Sequence, residues 1–585
     1  MVQQLSWKVG GQQGEGIEST GEIFSTALNR LGYYLYGYRH FSSRIKGGHT
    51  NNKIRVSTTQ VRSVSDDLDI LVAFDQETID VNVHELRVGG VVIADAKFNP
   101  SLPETCTTAT LYAVPFTEIA MELGTSLMKN MVAVGASSAV LHIDTEVFEE
   151  VVLEIFGKKG QKVVQKNMEA IKKGADYIRE QLGEQLETMK LDPADGKKRM
   201  FMIGNDAIAL GALAGGARFM PAYPITPASE IMEYLIKKLP QFGGTVIQTE
   251  DEIAACTMAI GANYAGVRAL TASAGPGLSL MMESIGLAGI TEQPVVIIDT
   301  QRGGPSTGLP TKQEQSDLMA MIYGTHGEIP KIVMAPSTVE EAFYDTIEAF
   351  NLAEEYQCPV IMLTDLQLSL GKQSVEPLDY NRVEIRRGKL QQGELEELEE
   401  KQYYKRYRVT EDGVSPRVIP GMKHGIHHVT GVEHDETGKP SESPVNRDDQ
   451  MNKRLRKTKG IRFNTPIHVH SHEKESDILF VGFNSTRGVI EEAMERLEQD
   501  GIKVNHAHIR LIHPFPADEL LPYVQGAKKV VVVENNATGQ LANILKMNIA
   551  SHDKIQSVLK YDGNPFLPQE VYAKSKEMFV LNGNV

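Results

Sequence analysis

Residues 201–235, FMIGNDAIALGALAGGARFMPAYPITPASEIMEYL, decide the fold of the middle of the chain. The small and apolar residues 206–217 suit a buried helix packed closely on a sheet. The following loop contains three prolines and must stay extended, because proline fixes φ and cannot continue a helix. A second helix, 230–239, then begins with Ser229 as its expected cap. The order of these elements indicates a stiff loop that holds something in place.

This module extends to about residue 370 as strands that alternate with glycine- and proline-rich loops. Residues 269–286 (ALTASAGPGLSLMMESIG) are interpreted as strand-like, and a buried strand follows at 294–300. The pattern predicts an α/β fold, in which ligands bind at the loops after the carboxyl ends of the strands.

An earlier module begins with a short strand, a glycine-rich turn and a helix over Gly10–Gly32, and strands follow at 53–57, 69–73 and 90–94. We expect a βαβ-type sheet here. The turn either presents backbone N–H groups to an anion or is simply tight. The loop His40–Asn51 (HFSSRIKGGHTN) is either functional or a plain surface loop.

The rest of the chain divides into a connector and a small doubly wound sheet. Residues 376–472 have too few apolar side chains for a core of their own, and their basic run 453–459 (KRLRKTK) is either a solvated face or a contact for an acidic partner. Four histidines at 424–434 match no zinc spacing, which favours loop packing. The last sheet, 473–585, has a predicted cap at Ser485 or Thr486.

Composition narrows the function. The 585 residues imply three to five modules, and 60 basic against 76 acidic residues, a net charge of -16, disfavour binding to nucleic acid or anionic membrane. Three isolated cysteines fit a reducing cytoplasm and cannot supply the four thiolates of a [4Fe-4S] cluster. No stretch has the pattern of a signal peptide or membrane span, so we expect a cytoplasmic protein.

Several motifs occur in one order: YPITPAS at 223–229, TEDEIAA at 249–255, TASAGPG at 271–277 and QRGGPSTGLPT at 301–311. In this order they resemble the pyrimidine-binding alpha domain of the 2-oxoacid:ferredoxin oxidoreductases. The first module, with GGQQGEG, is similar to the gamma subunit of that family, and the last, with LIHPFP, to its transketolase C-terminal-like domain. The resemblance implies domains at 1–185, 196–375, 376–472 (the connector) and 473–585. Gln13 departs from the gamma pattern GGQGG, which weakens the expectation of anion binding by that turn.

The resemblance also implies site residues for thiamine diphosphate and a 2-oxoacid. Glu252 is the expected carboxyl on the aminopyrimidine, with Glu250 as its competitor; otherwise both are first-turn acids that complement a helix dipole. Thr226 would face the reacting carbon, or else stabilise its loop. Arg302 would bind the substrate carboxylate, or else pair with a nearby acid. Further cofactor contacts are expected from Tyr223, Pro224, Ile225, Ser273 and Gly275, although a tight turn would also use the last two. No metal ligand is expected in this chain.

The resemblance places the diphosphate site, Mg²⁺ and a [4Fe-4S] cluster on a separate beta subunit, since the chain has neither a GDG motif nor enough cysteines. It implies oxidative decarboxylation with coenzyme A as co-substrate, ferredoxin as electron acceptor and a dimer of alpha–beta heterodimers. The fused arrangement favours 2-oxoglutarate over pyruvate or branched-chain 2-oxoacids. Two other functions remain open: a non-catalytic scaffold subunit, and a transketolase- or dehydrogenase-type thiamine enzyme without a cluster.

Overall fold

A computed structural model describes residues 2–42, 47–183, 189–399, 401–471 and 473–581. The chain forms two compact units. The first consists of Met1–Met202, Leu370–Pro377 and Leu567–Glu570, and the second of Ile203–Ser369, Leu378–Phe566 and Val571–Val585. Both units combine helices with sheets, so the predicted α/β class is confirmed.

The first unit is built on one eight-stranded mixed sheet. Its strands, in spatial order, are β6 (Thr110–Val114), β5 (Leu86–Asp95), β4 (Leu68–Ala73), β1 (Gln4–Gln12), β3 (His49–Ser57), β2 (Tyr34–His40), β14 (Gln373–Val375) and β7 (Met200–Met202). The three predicted strands are present as β3, β4 and β5. The βαβ expectation is wrong for β2 and β3, which form an antiparallel hairpin against β1. Part of the predicted loop between them, residues 43–46, lies outside the described residues.

The α-helices in the described residues of the first unit are α1 (Ile17–Arg30), α2 (Gln76–Asn82), α3 (Phe116–Glu122), α4 (Lys129–Val140), α5 (Glu149–Phe156) and α6 (Gln161–Leu182). The Trp7 ring stacks on Phe24 with 4.4 Å between ring centroids. Helices α4 and α6 touch backbone to backbone, because a Cβ on Gly135 would lie 1.8 Å from the Ile171 carbonyl oxygen. Glycine is therefore required at this crossing.

The second unit contains two five-stranded sheets and one strand pair. The pair is β8 (Phe219–Ala222) with β9 (Thr245–Gln248). The middle sheet runs β10 (Leu270–Ser273), β11 (Val295–Gln301), β13 (Pro359–Asp365), β12 (Ile332–Met334), β18 (Leu511–His513). The last sheet runs β15 (Ile467–His470), β17 (Val504–Ile509), β16 (Ser476–Gly482), β19 (Ala527–Glu534), β20 (Ile555–Leu559).

The remaining helices are α7 (Gly204–Ala214), α8 (Ser229–Lys238), α9 (Glu252–Tyr264), α10 (Gly275–Ile290), α11 (Leu318–Tyr323), α12 (Val339–Tyr356), α13 (Leu366–Leu370), α14 (Pro444–Gly460), α15 (Thr486–Gln499), α16 (Ala517–Gly526), α17 (Gln540–Asn548) and α18 (Pro568–Leu581). Two local predictions are wrong. Ser229 is the first residue of α8 rather than its cap. Residues 269–286 are mostly the helix α10, because Pro276 in its first turn has the fixed φ that starts a helix.

The cap predicted at Ser485 or Thr486 has a different role. Ser485 precedes α15, but its hydroxyl donates a hydrogen bond to Asp365 Oδ2 at 2.7 Å instead of capping the helix. The Thr486 hydroxyl donates to the Phe483 carbonyl oxygen at 2.8 Å. Both side chains thus stabilise the turn after β16.

The basic run 453–459 is solvated on one side only. Arg456 and Lys459 are exposed, whereas Lys453, Arg454 and Lys457 are buried and contact acids of this chain. Lys453 and Lys457 have no exposed surface, and their ammonium groups lie 2.6 Å and 2.5 Å from the two carboxylate oxygens of Glu292. Buried Arg454 also pairs with an acid: its Nη2 lies 2.6 Å from Glu433 Oε2. Buried ion pairs therefore hold the connector helix α14 against the turn that follows α10.

We call Glu292, Lys453 and Lys457 the buried ion cluster. Burial alone would raise the pKa of Glu292, but the two ammonium groups hold it well below its usual range. Burial lowers the pKa of Lys453 to about 8 against the attraction of Glu292. Arg406 adds a hydrogen bond of 2.7 Å to the backbone oxygen of Glu292. Each buried charge is stable only while its partners remain.

Candidate active site

The two competing glutamates occupy different environments. Glu252 is 6% exposed at the first residue of α9, whereas Glu250 is on the surface. The helix is capped by Asp251, whose side chain accepts a hydrogen bond of 2.8 Å from the backbone N–H of Ala254. The residue that caps the helix is Asp251, so helix capping does not explain why Glu252 is buried.

The Glu252 carboxyl lies against the start of α10. A Cβ on Gly277 would be 2.6 Å from Glu252 Oε1 and 2.0 Å from Ser273 Oγ, so only glycine allows these groups to meet there. The Ser273 hydroxyl is buried, and no residue in the part of the chain that the structure describes forms a hydrogen bond with it. Buried polar atoms in folded proteins are normally paired, so this place suits a ligand that carries hydrogen-bonding groups.

Thr226 and Arg302 come together in space although 76 residues separate them. Arg302 Nη1 donates a hydrogen bond of 2.6 Å to the backbone oxygen of Thr226. Arg302 is 6% exposed, and burial lowers its pKa while Asp317 opposes that shift. The guanidinium thus donates to a backbone oxygen and lies in the field of an acid. Its buried Nε forms no hydrogen bond within the described ranges of the chain.

The other predicted cofactor contacts line the same proline-rich loop. The Tyr223 ring is 40% exposed, and Pro224, Ile225 and Thr226 are half-buried. They lie between β8 and α8, directly after the carboxyl end of β8. The sequence predicted a loop here but not this strand, which takes up Pro221 and Ala222 of the predicted loop.

Two buried acids beside these residues were not predicted. Asp299, on β11, is fully buried, and neither of its carboxyl oxygens has a hydrogen-bond partner among the described residues. Asp317, just before α11, accepts a hydrogen bond from the backbone N–H of Gly275. Burial, reinforced by Glu314, raises the pKa of Asp317 to about 6, and burial together with Asp317 raises the pKa of Asp299 well above its usual range. For Asp317, the sequence offered one signal of a functional role: an acid in a polar loop directly before a short helix.

The last sheet holds the loop that carries Asp317. Gln315 N–H donates to the Asn535 carbonyl oxygen at 2.7 Å, and Asn535 N–H donates to Gln315 Oε1 at 2.9 Å. The Gln540 side chain binds the loop on both sides of Asp317. Its amide N–H donates to the Ser316 backbone oxygen at 2.7 Å, and its amide oxygen accepts from the Met319 backbone N–H at 2.9 Å. The acid is thus held by buried amide pairs.

The glycine-rich turn of the first unit borders a cavity of about 300 Å³. Gly16, at φ 82°, precedes α1 without a side-chain cap. The Arg39 guanidinium lies 2.9 Å from Glu18 at the cavity wall. Anion binding by this turn stays a prediction. The cavity is lined by Gln13, Gly14, Gly16, Ile17, Glu18, Ser19, Arg39, Phe41, Thr50, Asn51 and Asn52.

Three connector histidines, His427, His428 and His434, pack against tyrosine rings. His434 is fully buried with its ring centroid 4.1 Å from that of Tyr407, and its Nδ1 lies 3.0 Å from the Val432 oxygen. His427 borders Tyr264 and Tyr404. Within the described ranges, no three histidine, cysteine or acidic side chains are grouped as metal ligands.

Three families match separate stretches of the chain. Residues 6–177 match the pyruvate ferredoxin/flavodoxin oxidoreductase family. Residues 210–453 match the thiamine-diphosphate-binding domain of pyruvate flavodoxin/ferredoxin oxidoreductases. Residues 476–571 match the core domain II of pyruvate:ferredoxin oxidoreductase. The fold and the buried site thus define a subunit of a thiamine-diphosphate-dependent oxidoreductase.

Full-length relatives narrow this class. The chain is 35% identical to the 2-oxoacid:ferredoxin oxidoreductase alpha subunit of Sulfolobus sp. over 100% of this chain and 99% of that protein. It is 32% identical to the 2-oxoglutarate oxidoreductase subunit KorA of Mycobacterium tuberculosis over 96% of this chain and 89% of that protein. The solved structure of the 2-oxoglutarate:ferredoxin oxidoreductase of Magnetococcus marinus matches with a TM-score of 0.92 and 36% sequence identity. The match covers 99% of this chain and 100% of that chain. The chain belongs to the 2-oxoacid:ferredoxin oxidoreductase alpha-subunit family.

Among the helices in the described part of the chain, none has the length and apolar character needed to span a membrane.

Proposed function

We propose that this chain is the fused gamma–alpha subunit of an enzyme that converts 2-oxoglutarate and coenzyme A to succinyl-CoA and carbon dioxide, with release of a proton and reduction of two ferredoxins by one electron each. The Magnetococcus marinus enzyme, similar over nearly the whole chain, has 2-oxoglutarate, coenzyme A and succinyl-CoA bound. The observation that carries the proposal is the buried Glu252 carboxyl beside the unpaired Ser273 hydroxyl. The few, scattered cysteines favour a reducing cytoplasm as its location.

The residues around Glu252 fit thiamine diphosphate. When bound, this cofactor supplies a nucleophilic thiazolium carbon and an electron sink for the decarboxylation. Glu252 would hold a proton on the far ring nitrogen of the aminopyrimidine, which requires a carboxyl in a water-poor pocket. Ser273 and Gly275 would border the ring, and Tyr223, Pro224 and Ile225 would form its other wall.

Arg302 and Thr226 would bind the substrate. A planar guanidinium pairs with a carboxylate through two parallel hydrogen bonds, and Arg302 is already fixed by its bond to the Thr226 backbone. That bond uses the backbone oxygen of Thr226, so the Thr226 hydroxyl would direct the ketone oxygen toward the reacting carbon. The two residues would orient the 2-oxoacid from one side of the pocket.

A beta subunit would complete the site with the diphosphate site, Mg²⁺ and a [4Fe-4S] cluster. Helices α9 and α10 present exposed apolar side chains: Ile253 is 47% exposed, Met258 37% and Leu280 51%. A Cβ on Gly286, on α10, would meet no other part of the described chain within 4 Å beyond its own helix. We call Ile253, Met258 and Leu280 the α9–α10 face. Because an exposed apolar surface beside the Glu252 site favours a partner, we assign this face to the beta subunit. A dimer of such alpha–beta pairs is the proposed assembly.

The substitution Leu280→Glu should separate the two subunits while the chain itself stays folded. A charge at the centre of an apolar interface is desolvated without a partner, so we expect at least about a tenfold weaker association. Co-purification and analytical ultracentrifugation would measure this. The control is Val445→Glu at a 71% exposed position on α14. Equal co-purification of both variants would contradict the assignment.

Substrate choice is tested with the co-expressed alpha and beta chains. We expect viologen reduction that depends on coenzyme A and is fastest with 2-oxoglutarate, with succinyl-CoA as the product identified by mass spectrometry. Faster turnover of pyruvate or a branched-chain 2-oxoacid would keep the reaction class and overturn the substrate.

A further inference from the structure

Asn205, the second residue of α7, is a polar side chain in an apolar helix. The other buried residues of this helix are glycine, alanine, isoleucine and leucine, and Asn205 is buried among them without any exposed surface. Burying an amide is unfavourable unless it forms hydrogen bonds, and an apolar side chain at the same position would avoid that cost. Packing alone therefore does not explain the asparagine.

The Asn205 amide binds the proline-rich loop that contains Thr226. Its Nδ2 donates a hydrogen bond of 2.6 Å to the backbone oxygen of Pro227 and a longer one of 3.5 Å to Glu230 Oε2. The nitrogen has to face this loop, because a carbonyl oxygen only accepts hydrogen bonds. The amide oxygen of Asn205 is buried, and no donor in the described stretches of the chain reaches it. The bond to Pro227 is thus the shortest polar contact of this side chain.

Thr226 and Pro227 are the two central residues of a tight turn. The turn, 225–228, is closed by a hydrogen bond of 2.8 Å from the backbone N–H of its last residue to the backbone oxygen of its first. Arg302 Nη1 donates to the Thr226 oxygen, and Asn205 Nδ2 donates to the Pro227 oxygen. Because each peptide group is planar, holding both carbonyls fixes the backbone from which the Thr226 side chain projects.

The start of α7 holds Asn205 in place. A Cβ on Gly204 would lie 2.2 Å from the backbone oxygen of Leu368, so the first residue of α7 lies directly against the backbone of α13. Only glycine allows so close an approach, and a helix packed in this way cannot slide without a clash. Asn205 follows Gly204 directly. Its amide therefore reaches the turn from a rigid part of the fold.

We propose that Asn205 is a positioning residue, whose hydrogen bond to Pro227 sets the turn so that the Thr226 hydroxyl faces the reacting carbon. Arg302 holds the neighbouring carbonyl and also binds the substrate, whereas Asn205 acts only through Thr226. It takes no part in the covalent chemistry of the reaction. The inference rests on the proposed function of Thr226, and it explains why a buried position of an apolar helix carries an amide.

The variant Asn205→Asp makes the hydrogen-bond donor dependent on pH. At pH 9 an ionised carboxylate cannot donate to the Pro227 oxygen, so kcat of the complete alpha–beta complex with 2-oxoglutarate should fall at least about tenfold. Burial raises the pKa of the introduced carboxyl, and the neighbouring Glu230 carboxylate raises it further. The protonated carboxyl donates again. The ratio of the variant's kcat to that of the unmodified complex should therefore recover as the pH falls from 9 to 6.

The variant Asn205→Leu tests the inference without a buried charge. Leucine is similar in size and cannot donate, so kcat should be lowered to a similar extent at every pH between 6 and 9. In a Thr226→Val background, which lacks the hydroxyl to be oriented, Asn205→Leu should lower kcat by less than about a further twofold. This coupling separates positioning from a purely structural role, because a loss of folded protein would lower activity by the same factor in both backgrounds.

The control is Asn167→Asp, at a buried asparagine of the first unit whose Nδ2 donates to the Val163 backbone oxygen at 2.8 Å. Its kcat should follow the pH profile of the unmodified complex. An unchanged kcat in both Asn205 variants, a loss in Asn205→Asp that does not recover at pH 6, or independent losses in the double variant would overturn the inference. Failure of the proposed function is distinguishable, because then Thr226→Val alone would leave kcat unchanged or the unmodified complex would turn over no 2-oxoacid.

Discussion

The variant Glu252→Gln should lose catalytic activity while the chain stays folded and bound to its beta subunit. An amide is nearly isosteric with the carboxyl but does not exchange a proton with the aminopyrimidine nitrogen. General acid–base groups contribute about 10²–10⁴-fold, so kcat should fall by at least about 100-fold. Coenzyme-A-dependent viologen reduction by the complex measures the loss.

Glu250→Gln is the matched control for that variant. It makes the same chemical change two residues away, at an exposed position outside the pocket. Activity within about twofold of the unmodified complex is expected, since exposed surface substitutions rarely perturb a site. A dead Glu250→Gln variant beside an active Glu252→Gln variant would transfer the role to Glu250 and contradict the buried-carboxyl argument.

Lys457→Met should strongly destabilise the second unit. It leaves the Glu292 carboxylate buried with one of its two ammonium partners, and removing one member of a buried ion pair typically costs about 3–5 kcal/mol. We expect a lower apparent melting temperature and faster proteolysis of the connector. Glu292→Gln should have a similar effect, because it leaves two buried cations without their acid.

The neighbouring Lys459→Met is the control, since Lys459 is exposed on the same helix and run. The double variant Glu292→Gln, Lys457→Met should lose less stability than the sum of the single losses, because the members of one buried cluster are coupled. Strict additivity, or equal melting temperatures for Lys457→Met and Lys459→Met, would contradict the role of the cluster.

Apolar runs and proline loops in the sequence predicted much of the fold. The strands β3, β4 and β5 lie where the pattern placed them, because continuous burial leaves a run of apolar residues. The loop predicted at 221–229 is shorter, since Pro221 and Ala222 end β8 and Ser229 begins α8. The antiparallel pairing of β2 with β3 could not be predicted, because short apolar runs do not reveal strand direction. The helix α10 was misread, because its apolar residues do not follow its buried face: Leu280 is exposed whereas Ser284 is buried.

Charged residues explain the other limits. A basic run is usually solvated, and nothing near Lys453 in the sequence reveals that Glu292 lies beside it in the fold. Glu250 and Glu252 both lie at the start of α9, two positions apart, so the pattern alone could not choose between them and their burial distinguishes them. Asp299 occupies one position of a buried strand, where an isolated acid carries no motif.

The central claim is that this chain contributes the pyrimidine-activating and substrate-facing half of a shared active site. It is tested most directly by assaying the purified chain, the beta chain and their mixture for coenzyme-A-dependent viologen reduction with 2-oxoglutarate and thiamine diphosphate. The account predicts activity in the mixture alone, and its loss when Glu252→Gln replaces the unmodified chain. Turnover by either chain alone, or undiminished turnover by the mixture that contains Glu252→Gln, would contradict it.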